Sequence, residues 1–270
     1  MNRMLSLMLL VGVNFSALFA GFEYYPNENP TLDQYLQNTP WEKYKLYKVP
    51  GLGQFWVDHA KDCVKDTIKS GKIWEQYIIA EINKYAKPGD KVIDIGAHMG
   101  TITLAMSNII GLQGMVYSFE GERQFFRELC NNIEVNKREN IRPHLAWISD
   151  EDYTKEVSFF YGNDYSQVHS EDDGAYQLNV CTLDSFGFEN ISLIKCDVEC
   201  MEDQILDGAY QTIMSSRPTI IIEIMGGFGN DNAPEVQTRI KHTISKLNDL
   251  DYSVSKIWID DYLAIPNERL

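Results

Sequence analysis

Basic residues are scarce in this chain: 24 Lys and Arg stand against 39 Asp and Glu, a net charge of −15 over 270 residues. Such a surface repels a phosphate backbone at long range, so the composition argues against a nucleic-acid partner. The basic run at roughly helical spacing, Lys61, Lys65, Lys69 and Lys72, is expected to be a solvated helix face. Cysteine offers no framework either: Cys63, Cys130, Cys181, Cys196 and Cys200 are scattered and odd in number, which excludes a disulfide scaffold. Cys196 and Cys200 have no second pair and no nearby histidine, the wrong context for zinc. Most of the five are expected to be small buried hydrophobes. Internal repeats and low-complexity tracts are lacking.

An uncharged apolar stretch runs from Met4 to Ala20 after a single Arg3. It reads as a signal peptide or signal anchor over residues 1–21, somewhat short of the ~20 apolar residues of a comfortable span and interrupted by Asn14 and Ser16. With Arg3 held in the cytoplasm, the rest would be exported or anchored at the membrane through residues 4–20. The alternative is a buried N-terminal helix in a cytoplasmic protein. If the chain is exported, Asn190-Ile-Ser192 is a candidate glycosylation acceptor.

The length suits one α/β domain with some decoration. Residues 22–70 read as an N-terminal extension with a hairpin at Tyr44–Val49 and Gln54–Val57 around a Pro-Gly turn. Trp74, Ile78, Ile82 and Tyr85 then recur at helical spacing. From there strand and helix alternate: "KVIDI", a helix over Thr101–Ile110, "GMVYSFE", a helix over Arg123–Asn136, and a strand near Ile141–Ile148. That interval implies a doubly wound, mainly parallel sheet covered on both faces. "EVSFFY" and "QLNVCTL" form a mixed interlude around an acidic insert, residues 162–175, which would be a lid or a surface hairpin. The core resumes with "ISLIKCD", a helix from about Met201, "RPTIIIEI", a helix over about Glu235–Leu250, and the strands "YSVSKIWI" and "YLAIP".

A dinucleotide fingerprint needs Gly-x-Gly-x-x-Gly, and Asp94-Ile-Gly96-Ala-His-Met-Gly100 does not supply it. The spacing suits a nucleoside that carries a cationic amino acid moiety. Asp94 could orient its ammonium, while the glycines let the ligand lie against backbone. Glu120, at the carboxyl end of the next strand, could accept both hydroxyls of a ribose.

These residues resemble the FkbM family of S-adenosylmethionine-dependent methyltransferases. The resemblance covers about Gly71–Pro266 through "GKIWE", "KPGDKVIDIGAHMGT", "GMVYSFEGERQFFRELCNNIEVN", "LAWISDE", "TLDSF", "LIKCDVECMEDQILDGA" and "RPTIIIEI". It implies a seven-stranded, Rossmann-like methyltransferase sheet over residues 71–270 and methyl transfer to oxygen, often on sugars, glycans or polyketide products. By that resemblance Asp94, Gly96, Ala97 and Gly100 form the cofactor loop, Glu120 binds the ribose, and the chain passes the adenine near Ala146 and Trp147. Lys195, Asp197, Glu199 and Glu202 match a Lys-x-Asp-x-Glu-Gly-x-Glu element. His98 stands where Asn is usual, and Cys200 where the family generally keeps Gly.

An alcohol needs help to lose its proton at neutral pH. Asp197 is the leading candidate base, Glu199 could share the task, or the two could hold a hard divalent cation. Lys195 would keep Asp197 ionised, and His98 could orient the acceptor. The bland reading makes Asp197 and Glu199 N-terminal acids of the next helix. Glu223 is a weaker candidate. Two rivals stand beside an O-methyltransferase: a binding protein that keeps the fold without turnover, suggested by Cys200, and a nicotinamide oxidoreductase, which the glycine spacing disfavours.

Overall fold

Runs of Val and Ile too apolar for a half-exposed sheet form the centre of the molecule. In a computed structural model of the chain the described residues are 41–157, 160–161, 168–169, 176–198, 200–224 and 233–270. Among them the strands are β1 (Lys45–Val49), β2 (Gly53–Val57), β3 (Lys91–Ile95), β4 (Met115–Glu120), β5 (Ile141–Ile148), β6 (Tyr153–Val157), β7 (Phe160–Tyr161), β8 (Val168–His169), β9 (Tyr176–Cys181), β10 (Ile191–Cys196), β11 (Thr219–Glu223), β12 (Tyr252–Lys256) and β13 (Asp261–Pro266). The helices are α1 (Cys63–Lys69), α2 (Gln76–Tyr85), α3 (Thr101–Ile110), α4 (Arg123–Val135), α5 (Glu202–Gly208), α6 (Tyr210–Ser216) and α7 (Pro234–Asp249).

One sheet runs in the order β12-β13-β11-β10-β3-β4-β5-β9-β6. The strands from β11 to β9 are parallel, while β13 and β6 run antiparallel to their neighbours. The seven strands from β12 to β5 are those expected. The interlude read as separate from the core extends the same sheet, because β9 pairs with β5 from Ala146 to Ile148 and β6 closes the edge beyond it. Within the acidic insert only the backbone of β8 is described, paired with β7; the rest of residues 162–175 lies outside the described residues. The N-terminal apolar segment lies outside them too. Among the described residues no helix is long and apolar enough to cross a membrane.

Side chains alternate across the central strands. Ile93, Ile95, Ile194, Cys196, Ile220 and Ile222 join one core cluster with Ile205, Ile213, Ile240 and Leu247 of α5, α6 and α7. The opposite alternation, Asp94 on β3 and Lys195 on β10, is buried on the other face. Of the cysteines, Cys130, Cys181 and Cys196 are buried, as expected, while Cys63 and Cys200 are exposed.

The N-terminal extension is fastened to α4. Asn136 accepts the Gln54 N–H at 2.8 Å and returns a bond to Gln54 O at 2.6 Å, and one turn earlier Asn132 accepts the Trp56 N–H at 2.7 Å. Two asparagines thus satisfy backbone groups along β2 that its hairpin partner β1 leaves open. The lysine run corrects the sequence reading. Lys61 and Lys72 are exposed, but Lys65 is fully buried, with its Nζ 2.8 Å from both Asp58 and Glu128. Helical spacing cannot reveal this burial, because the partner acids come from β2's end and from α4. Stranding a buried carboxylate costs more than removing the whole pair. Lys65→Met is therefore expected to lower the unfolding free energy by about 3–5 kcal/mol in urea denaturation. The double variant Lys65→Met, Glu128→Leu should recover most of that loss.

Candidate functional site

The sheet order reverses between β3 and β10: β3 leads on to β4 and β5 on one side, β10 to β11 on the other. In open α/β sheets the crevice outside the strands' carboxyl ends at such a point is where ligands bind. The loop after β3 enters it. Gly96 has φ of 82°, and a Cβ there would lie 1.8 Å from Asp197 O, so only glycine lets the loop pass the end of β10. Gly100, at φ 92°, opens α3. The N–H groups of Gly96 and Ala97 both donate to Phe119 O, at 3.0 and 2.9 Å.

Glu120 is bound to this loop from the neighbouring strand. Its Oε2 accepts the His98 N–H at 2.7 Å and its Oε1 the Glu122 N–H at 2.8 Å. Burial raises its pKa to about 7 against the pull of those two donors. His98 itself is left-handed, with φ of 50°. Its Nε2 lies 3.2 Å from Asp62 Oδ2, and its ring packs on Phe125 at 3.7 Å between centroids. It braces the loop against α1 and α4, whereas the sequence suggested a role at the acceptor. Asn132, already bound to β2, donates to Met99 O at 2.8 Å, so the extension and the loop share a support.

On the other side of the switch point lies an ionic centre. Lys195 Nζ is 2.8 Å from Asp197 Oδ2 and 3.9 Å from Asp94 Oδ1. Asp94 is fully buried and accepts the Thr103 hydroxyl at 2.5 Å. It therefore fixes α3 and Lys195 instead of meeting a ligand's ammonium, the part expected of it. Asp197, with 29% of its side chain exposed, is the member of the triad that reaches the crevice. Burial works to raise the Asp197 pKa, but Lys195 and a hydrogen bond with Glu223 hold it well below the usual carboxylate range. Burial and that same bond drive Glu223 far up, so the two carboxylates titrate as a pair.

Sequence reasoning missed three residues of this cluster. Tyr77 donates to Asp261 Oδ2 at 2.9 Å, and Asp261 pairs in register with Glu223 across β11 and β13. Glu75, at the start of α2, feels the charges of Lys195, Asp197, Asp261 and Asp94, and burial raises its pKa to about 7. The signal for Glu75 was the "GKIWE" segment, which carried no assigned role.

The remaining expectations divide. Trp147 is half-buried beside Gly121, with Lys155 Nζ 5.7 Å above its ring, while Ala146 belongs to the core cluster. Cys200 adopts φ of 75°, the backbone that glycine would favour, and its N–H donates to Glu202 Oε1 at 3.0 Å. The loop geometry is thus kept despite the substitution. Glu199 lies outside the described residues. Among the described residues no group of three or more His, Cys, Asp and Glu side chains could hold a metal; Glu199, the partner considered with Asp197 for a cation, lies outside them.

A family model described as Methyltransferase FkbM domain matches residues 94–254. A search of curated proteins returns no match. Among solved structures, this chain is similar to an FkbM methyltransferase from Methylobacillus flagellatus KT at 16% identity and a TM-score of 0.46, covering 76% of this chain and 55% of that one. It is similar to a putative rRNA-methylase from Clostridium thermocellum at 10% identity and a TM-score of 0.46, covering 70% and 92%. Aeropyrum pernix fibrillarin with natively bound S-adenosyl-L-methionine gives 14% identity and a TM-score of 0.46, covering 85% of each chain.

Two expectations follow from the geometry. The Asp62 pKa is held at about 2, because the bond and charge of His98 outweigh burial. A depressed carboxylate stabilises the fold above its unfolded pKa, and that contribution fades as pH falls from about 4 towards 2. Wild type should therefore lose roughly 2 kcal/mol more than Asp62→Asn between pH 5 and pH 2 in denaturant titrations. Cys200→Gly, relieving a left-handed Cβ on an exposed residue, should raise stability by about 0.5–1 kcal/mol in the same assay at pH 7.

Proposed function

The chain belongs to the FkbM methyltransferase family, and on that premise we propose that it transfers a methyl group from S-adenosylmethionine to a hydroxyl oxygen of a sugar, glycan or related small molecule. The observation that carries the proposal is the pairing across one switch point of a glycine-cradled loop bound to Glu120 with a buried lysine and two carboxylates. When bound, the donor supplies an electrophilic methyl on a sulfonium. Glu120 would accept the ribose hydroxyls, and the backbone of Gly96, Ala97 and Gly100 would lie along the nucleoside and its linker. Ala146 and Trp147 would border the adenine. Gly96 keeps that loop against the end of β10, where any side chain would collide with Asp197 O.

Most of the rate gain in such an in-line displacement comes from alignment of donor and acceptor. Asp197, kept ionised by Lys195, would accept a hydrogen bond from the acceptor hydroxyl and orient it. A carboxylate with so low a pKa takes up a proton poorly at neutral pH, so orientation suits Asp197 better than the base role expected from sequence. Glu199, two residues on in the chain, remains a candidate partner. The net charge of −15 and the acidic cluster favour a neutral hydroxylated acceptor over a phosphate-rich one. Arg3 and the apolar run after it favour a secreted or membrane-anchored placement. Cys200 supports a degenerate enzyme less than the sequence suggested, since its backbone stays left-handed.

Calorimetric titration of S-adenosylmethionine into the full-length chain tests this reading. Wild type should bind, Glu120→Ala should weaken binding by about tenfold or more, near 1.4 kcal/mol, and Gly96→Val should abolish it. Radiolabelled methyl transfer to a panel of neutral glycosides should then exceed transfer to RNA. No binding by folded wild type, or transfer to RNA alone, would contradict the proposal.

A further inference from the structure

The acceptor's proton needs a destination, and most of the acids around the crevice are already engaged. Asp94 is sealed between Thr103 and Lys195. Asp197 is pinned by Lys195, Glu223 is bonded to Asp197, and Asp261 receives the Tyr77 hydroxyl. Glu75 is placed differently. It stands at the N-terminal end of α2, yet its carboxylate does not cap that helix. Its backbone is left-handed, with φ of 46°, a conformation that costs a non-glycine residue roughly 1 kcal/mol and that clusters at functional sites. α2 packs against β10 and β11, the strands that end in Asp197 and Glu223. Two residues on, Tyr77 ties the same segment to Asp261, and its ring lies 5.1 Å from the exposed Trp258. Glu75 thus opens a helix tied to β10, β11 and Asp261, and it lies outside residues 94–254, the part covered by the family match.

We propose that Glu75 is the catalytic base, the group that takes the proton of the acceptor hydroxyl as the oxygen is methylated. The inference rests on the methyl-transfer reading above. In the step, the acceptor O–H bond breaks and its proton passes to a Glu75 carboxylate oxygen. The acceptor oxygen forms a bond to the methyl carbon, and the carbon–sulfur bond breaks with its electron pair left on sulfur. The charges that act on Glu75 are those of Lys195 and Asp197 from β10's end, Asp94 from β3 and Asp261 from β13. Burial and the three acids raise its pKa to about 7 against Lys195, which leaves it able to gain and lose a proton under working conditions. A nearby sulfonium would favour the ionised form.

That last point gives a test which needs no identified acceptor. Calorimetry at pH 7 in buffers of different ionisation enthalpy counts the protons released when ligand binds. S-adenosylmethionine and S-adenosylhomocysteine share the ribose, so any release from Glu120 cancels in their difference, and only the sulfonium charge distinguishes them. Full-length wild type should release up to roughly half a proton more with S-adenosylmethionine, since a group titrating near 7 is about half protonated there. In Glu75→Gln that difference should vanish, S-adenosylhomocysteine should bind within about threefold of wild type, and S-adenosylmethionine should bind more weakly by the fold-change that the proton release implies. A wild-type difference of zero, or a difference that survives in Glu75→Gln, would overturn the role of Glu75 while leaving the cofactor site intact. Failure of both ligands to bind folded wild type would overturn this inference together with the reading beneath it.

Discussion

An ammonium group buried at the point where the sheet reverses its order sets the charge of everything around it. Lys195 has 7% of its side chain exposed, and burying an unpaired ammonium costs several kcal/mol. Asp197 and Asp94 offset that cost from two different strands, so the ion triad also fastens β10 to β3. Two residues of separation put Lys195 and Asp197 on the same side of the chain at the strand's end. The consequence spreads outward. Lys195 and Glu223 hold the Asp197 carboxyl low, the bond to Asp197 and burial push Glu223 up, Asp261 receives Tyr77, and the charges of this cluster act on Glu75. The site's protonation pattern is therefore a property of the group, with Lys195 as its origin.

A second constraint acts on the cofactor loop. Gly96, His98 and Gly100 all hold left-handed backbone within five residues, and His98 does so with a side chain in place. Such a loop keeps its shape only if its surroundings over-determine it. Here the surroundings are the N-terminal extension and α4. Asn132 joins Trp56 of β2 to Met99 of the loop, Asp62 holds His98, and Lys65 ties α1 to α4 through Glu128. The extension thus acts as a brace, and changes in it should be felt at the loop's bond to Glu120. The family match begins only at Asp94, yet a good part of the loop's support lies before it.

The parallel core was legible because its physics is local. "KVIDI" and Thr101–Ile110 are a strand and a helix at the residues the pattern indicated, since a buried apolar strand followed by a glycine turn has few alternatives. Glu120 stands at the carboxyl end of its strand, as the pattern indicated. What local pattern could not show was the outcome of tertiary pairing. Lys65 looks like any exposed lysine at helical spacing until Glu128 arrives from α4. Asp94 looked like a ligand contact, but Lys195 and Thr103 enclose it. Glu75, Tyr77 and Asp261 meet only because α2 crosses the ends of β10 and β11, with 184 residues separating Tyr77 from Asp261. The strand β9 lies where "QLNVCTL" was read as a strand, whereas β6 begins at Tyr153, three residues ahead of "EVSFFY", and their place at the edge of the main sheet depended on a pairing with β5 that alternation does not encode.

The central claim is that the crevice between β3 and β10 holds the methyl donor with its ribose on Glu120 and its sulfur towards Lys195 and Asp197. A crystal structure of the full chain with S-adenosylhomocysteine tests it most directly. The account predicts both ribose hydroxyls within hydrogen-bond distance of Glu120 and the thioether on the side of the crevice lined by Asp197 and Glu75. Ligand density elsewhere on the molecule, or a ribose that leaves Glu120 untouched, would contradict it.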